Sequence, residues 1–220
     1  METNINKITF YILIIAIVII IFNFFQLNNL KISKTEITSN AISNVNELQA
    51  ANPQPNPITA ETIDVIPKGI PVIYGGELGV SFDDISAADQ KKADATIKKI
   101  GMLDDGTSLS KDETKRYIQI AGRISCEYCC GADSIITNDG KAACGCSHSF
   151  AMRGLAKYLI KYHGTEYTDD QILEELGKWK TLFFPENIAK KAGILKEKGI
   201  ELNYINLASN KYRDIEQKNT

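Results

Sequence analysis

All five cysteines of this 220-residue chain lie between Cys126 and Cys146, and His148 follows two residues later. The order is Cys126-Glu127-Tyr128-Cys129-Cys130, then Cys144-Gly145-Cys146-Ser147-His148. No other feature constrains the fold as strongly. A tetrahedral ion takes ligands at about 2.0 to 2.3 Å from short turns on separate chain segments. Cys-x-x-Cys is one such turn, and Cys-x-Cys-x-His is the other. The six candidate ligands are therefore Cys126, Cys129, Cys130, Cys144, Cys146 and His148.

Between the two groups, residues 134–143 carry an Asp139-Gly140 pair with short apolar flanks, the pattern of a tight β-hairpin. A hairpin centred there sets residues whose numbers sum to 279 opposite each other. Cys130 would face Ser149 and Cys129 would face Phe150, so the thiols would converge near His148. Beyond Cys146, apolar residues at Phe150, Leu155, Leu159 and Tyr162 predict a helix over 147–163, ended by Gly164. Its N-terminus presents unpaired amides and a positive dipole end to Cys146, which favours thiolate over thiol.

Zinc is the expected cofactor, since it needs four ligands and six are offered. The thiolate surplus also suits copper(I) or an iron-sulfur cluster. Disulfides are the third reading, although five cysteines cannot all pair within one chain and a vicinal Cys129-Cys130 bridge would be strained. A thiol enzyme is the rival function, with Cys129 or Cys146 attacking and a neighbouring cysteine resolving. Cys-Glu-Tyr-Cys lacks a strand-to-helix thioredoxin setting, so the balance leans away from an enzyme.

The apolar residues are concentrated elsewhere. Ile8 to Phe25 carries no charge, and at 1.5 Å per residue it extends roughly 27 Å as a helix, close to a bilayer core. No small-residue cleavage site follows, so the segment reads as an uncleaved anchor. The expected organisation is a head over 1–7, a transmembrane helix over 8–28, a flexible linker over 29–65, a Cys/His domain over 66–185, and a C-terminal helix with a loose tail over 186–220. The linker carries Asn52-Pro53-Gln54-Pro55-Asn56-Pro57, which favours extended geometry. The expected location is the cell membrane, single-pass, with the domain on the extracytoplasmic side. The expected partners are the lipid bilayer and other membrane proteins. A net charge of -2 argues against nucleic acid.

The fold class expected for the remainder is mainly α, with the short β-hairpin carrying the Cys/His site. Helical patterns run over 87–100 and from a Ser110-x-x-Glu113 capping box to about 124. A second box, Thr168-x-x-Gln171, opens a helix that Phe183-Phe184-Pro185 ends, and another short helix covers 186–198. Trp179 reads as core beside Ile172 and Leu176. Asp104, Asp105 and Asp112 lack the spacing of a calcium loop and read as a solvated connection. His163 reads as a dipole-complementing residue in a last helical turn, and Arg153 as an anion or thiolate screen or a surface ion pair.

The segments Cys126 to Ala132 (CEYCCGA) and Cys144 to Leu159 (CGCSHSFAMRGLAKYL) resemble those of a family of prokaryotic single-pass membrane-anchored proteins. IPVIYGGELGVSFDD upstream and EELGKWKTLFFP downstream extend the similarity over most of residues 66–185. A weaker similarity, through Cys144, Cys146 and His148, links the chain to PCYCGC-motif proteins. The resemblance implies a membrane-tethered Cys/His domain and no particular activity. The functional expectation is a tethered metal-binding protein. A thiol-disulfide redox protein and an interaction module of a membrane complex are the alternatives.

Overall fold

Helix starts in this chain are fixed by side chains that accept the free amides of the first turn. In the computed structural model, which describes residues 64–217, Ser110 and Glu113 form a reciprocal capping box at the head of one helix, and Thr168 and Gln171 form another. The helices are α1 (Gly75–Leu78), α2 (Gln90–Gly106), α3 (Lys111–Ala121), α4 (Ser147–His163), α5 (Asp169–Phe183), α6 (Pro185–Glu197) and α7 (Tyr204–Ala208). Short 3-10 turns occupy Phe82–Asp84 and Asn210–Tyr212.

The mainly helical character expected from the sequence is present. The limits of α4 agree with its apolar spacing, and α5 ends one residue before Phe184-Pro185. Helix α2 runs through Gly101 instead of stopping there. Phe150 of α4 lies against that glycine, so that an added Cβ would sit 2.2 Å from its ring. Gly154 permits an approach of backbone itself: a Cβ there would be 2.3 Å from the Ile100 carbonyl oxygen. The α2–α4 pair is thus packed backbone to backbone, which brings the start of α4 under the body of the domain.

The main core joins α3, α4 and α5 through buried Tyr117, Ile120, Met152, Leu155, Leu176 and Trp179. Trp179 is core, as its spacing suggests. Its indole N–H donates to Tyr74 Oη at 2.8 Å, and Tyr74 in turn donates to Glu175 at 2.8 Å. A smaller apolar cluster of Ile188, Ala192, Leu195 and Leu207 ties α6 to α7.

Two expectations are corrected. No strand or β-hairpin forms among the described residues; two isolated antiparallel bridges occur, Ile124 with Ser209 and, across the expected hairpin, Ile136 with Ala142. The turn at Asp139-Gly140 does form, with Gly140 at a φ of 81°. Cross-turn bonds run from Thr137 N–H to Lys141 C=O and from Ala143 N–H to Ile135 C=O, but pairing spreads no further because the next groups are satisfied elsewhere: Ile135 N–H donates to Ile124 C=O, and Cys144 C=O accepts from Arg153. The cross-turn pairs sum to 278, and Cys130 meets Cys144 instead of Ser149.

The second correction concerns the membrane. No helix among the described residues is long and apolar enough to cross a bilayer. Each long helix carries charges on its exposed face, such as Lys91, Lys98 and Lys99 on α2. The head, the 8–28 segment and the linker up to residue 63 lie outside the described residues. The single-pass and extracytoplasmic placement is accordingly withdrawn.

Candidate metal centre

The two cysteine segments are positioned by different means. Cys146 is the N-cap of α4, and its Sγ accepts the Ser149 N–H at 3.3 Å. Its Sγ also lies 3.4 Å from that of Cys126, which is almost fully buried. The hydrogen bond between them pushes the Cys126 thiol up, with burial adding to the rise. The same bond pulls Cys146 down, helped by His148 and by the Ser149 amide at the helix start. The two sulfurs thus share one hydrogen bond, and of the pair it is Cys146, at the helix start, whose thiol is lowered.

His148 follows in the first turn of α4. Its ring is held between Phe183 and Phe184, each with its centroid 4.9 Å away. Nδ1 is buried and has no hydrogen-bond partner among the described residues. A buried polar atom without a partner costs about 1 to 3 kcal/mol, so the imidazole has an unmet polar contact at this nitrogen.

The donor atoms of Cys126, Cys129, Cys146 and His148 all lie within 4.8 Å of one another. Sulfur ligands on a tetrahedral ion at about 2.3 Å are separated by about 3.8 Å, so this group could hold a metal ion with small adjustments. A second group, Cys130, Cys144 and Cys146, also falls within 4.8 Å. Within it Cys130 and Cys144 are joined as a disulfide, whereas Cys126, Cys129 and Cys146 are free. The structure therefore brings all six sequence-derived residues together and sorts them: four free donors in one group, and a second group in which the Cys130–Cys144 disulfide lies beside the same Cys146.

The Cys-Glu-Tyr-Cys turn is held by residues that the motif does not announce. Glu127 has a φ of 54°, a left-handed conformation that costs a non-glycine residue energy. Its buried carboxylate accepts from Lys180 Nζ at 2.7 Å, from Lys191 Nζ at 2.9 Å, and from the Asp214 N–H at 3.0 Å. Both lysines are fully buried. Burial opposes the charge on Glu127, but Lys180 and the Asp214 amide outweigh it and hold the carboxyl below its usual range. Burial pushes Lys180 down to about 8. Tyr128 packs its ring 5.3 Å from Lys180 Nζ and 5.5 Å from Lys191 Nζ, and its hydroxyl donates to Glu216 at 2.6 Å. Lys180 also acts on Cys126, so its ammonium offsets part of the negative charge that thiolates bring.

Glu127, Lys180 and Lys191 were not among the residues singled out from the sequence, yet a trace is there. Lys180 falls on the Leu173/Gly177 stripe of α5, and Lys191 on the Ile188/Leu195 stripe of α6, both of which face the core. A lysine on such a stripe needs a buried partner.

Arg153 does more than an ordinary surface ion pair. It is buried, and it donates to Asp104 at 2.7 Å and to the Cys144 carbonyl at 2.9 Å. Lys157 pairs with the same carboxylate at 2.6 Å. Asp104 is thus an interior anchor on α2, not part of a solvated loop. His163 is buried between Glu166 at 2.9 Å and Glu77 at 3.1 Å, away from the centre.

These six residues and their supports define a mainly helical Cys/His domain with a site able to hold a metal ion. No protein-family model, curated protein or solved structure matches the chain.

Proposed function

We propose that the domain binds one zinc ion through Cys126, Cys129, Cys146 and His148. The observation that carries this reading is the gathering of three free cysteine sulfurs and a ring nitrogen of His148 within 4.8 Å of one another. Three sulfurs and one imidazole form a donor set suited to zinc. Iron-sulfur clusters draw mainly on cysteine, and copper(I) prefers softer, all-sulfur surroundings.

Four protein ligands close the coordination sphere and leave no position for a substrate or an activated water. The role is therefore binding, with the ion joining the 126–129 turn to the start of α4. Elemental analysis of the purified full chain tests it: one equivalent of zinc is expected, falling below one tenth in Cys146→Ser and in His148→Ala. Metal-free wild-type chain that remains folded would overturn the reading.

A further inference from the structure

Cys146 belongs to both sulfur groups. Its Sγ lies within 4.8 Å of the other three donors of the proposed zinc site, and within the same distance of Cys130 and Cys144. A thiolate sulfur has several lone pairs and can serve two soft cations at once. Three thiolates around one ion at about 2.3 Å stand about 4 Å apart. The second group lies within 4.8 Å, so small shifts would give it that spacing once Cys130 and Cys144 are no longer bonded to each other.

Breaking the bond would not scatter the sulfurs. The segment after Cys130 is held by Arg213, which donates to Gly131 C=O at 2.9 Å and Ala132 C=O at 3.1 Å, and pairs with Asp133 at 2.8 Å. Asn210 adds a bond to Asp133 C=O at 2.8 Å. Cys144 is held independently, through its carbonyl, by Arg153. Cys130 is exposed, so a small reductant can reach it. Each half of the disulfide thus has its own anchor, and neither anchor depends on the S–S bond.

We infer that reduction of Cys130–Cys144 opens a second, all-thiolate site for a soft d10 cation, formed by Cys130, Cys144 and the shared Cys146. This rests on Cys146 being a ligand of the zinc site described above. The chemistry balances with a dithiol as reductant. Its two sulfurs join as a cyclic disulfide, the Cys130–Cys144 bond breaks, and the two electrons and two protons pass to Cys130 and Cys144. The incoming cation then displaces those two protons to solvent. The domain would hold one ion when oxidised and two when reduced, so thiol status sets its metal capacity.

The test counts ions by native mass spectrometry on the full chain. Protein is loaded with Cd2+ while oxidised and desalted; half is then treated with dithiothreitol, desalted under argon and reloaded. Wild type should pass from one Cd2+ to two, and Cys130→Ser, an exposed change, should hold one throughout. One ion in both states of the wild type, or two in Cys130→Ser, overturns the second site and leaves the first intact. No ion in the oxidised wild type overturns the first site and, with it, the shared-ligand site.

Discussion

The two halves of the Cys/His centre are held by opposite strategies. The backbone of the Cys144–His148 half is built locally: Cys146 caps the helix that carries His148, and Arg153, one turn further on, returns to the Cys144 carbonyl. The Cys126–Cys129 half is built from afar, because its left-handed Glu127 is fixed by lysines on α5 and α6 and by the Asp214 amide. A helix start organises its neighbours with groups that every helix has. A buried carboxylate between two buried ammonium groups works only as a complete set, since removing one member leaves charge uncompensated.

The largest effect should therefore come from the distant half. Glu127→Ala leaves Lys180 and Lys191 buried without their shared carboxylate, and the expected loss is about 3–5 kcal/mol, read from urea unfolding. A loss below about 1 kcal/mol would remove the contrast between the halves. Arg153→Met should cost less, about 1.5–3 kcal/mol, because Asp104 keeps Lys157 while the Cys144 and Ile135 carbonyls lose a charged donor.

A third substitution separates ligand from cap. Serine is a good N-cap, so Cys146→Ser should change the stability of metal-free protein by less than about 1 kcal/mol while abolishing zinc retention. Equal loss of both would mean that the sulfur acts through the helix alone.

A fourth prediction concerns pH. Lys180 sits at about 8 in the folded chain, against about 10.4 for an ordinary lysine. Between those values the unfolded state binds more protons, so this group makes stability rise with pH across the window. Lys180→Met should lack that contribution, and the difference between its urea midpoints and those of wild type should change from pH 8 to 10. Parallel profiles would show that Lys180 titrates normally.

What could be read from the sequence follows the same division. The capping boxes at Ser110 and Thr168, the extent of α4 and the gathering of five cysteines with His148 all depend on spacing within a few residues. The partners of Glu127 lie 53 and 64 residues away, and no local pattern reports such a separation. The hairpin reading failed for a related reason. Asp139-Gly140 does specify a turn, but strand pairing also depends on whether competing partners exist: Ile124 C=O accepts the Ile135 N–H, and Arg153 donates to the Cys144 C=O. Phe183-Phe184 reads as a helix end and doubles as the packing that fixes the His148 ring. The 8–28 segment lies outside the described residues, and no described helix could cross a membrane.

The central claim is that three cysteines and one histidine bind a single zinc ion. X-ray absorption at the zinc edge of the full chain in its oxidised state addresses the ligand set directly. Three sulfurs at about 2.3 Å and one nitrogen at about 2.0 Å are expected, with the nitrogen lost in His148→Ala. Four sulfurs, or a shell of nitrogen and oxygen without sulfur, would contradict it.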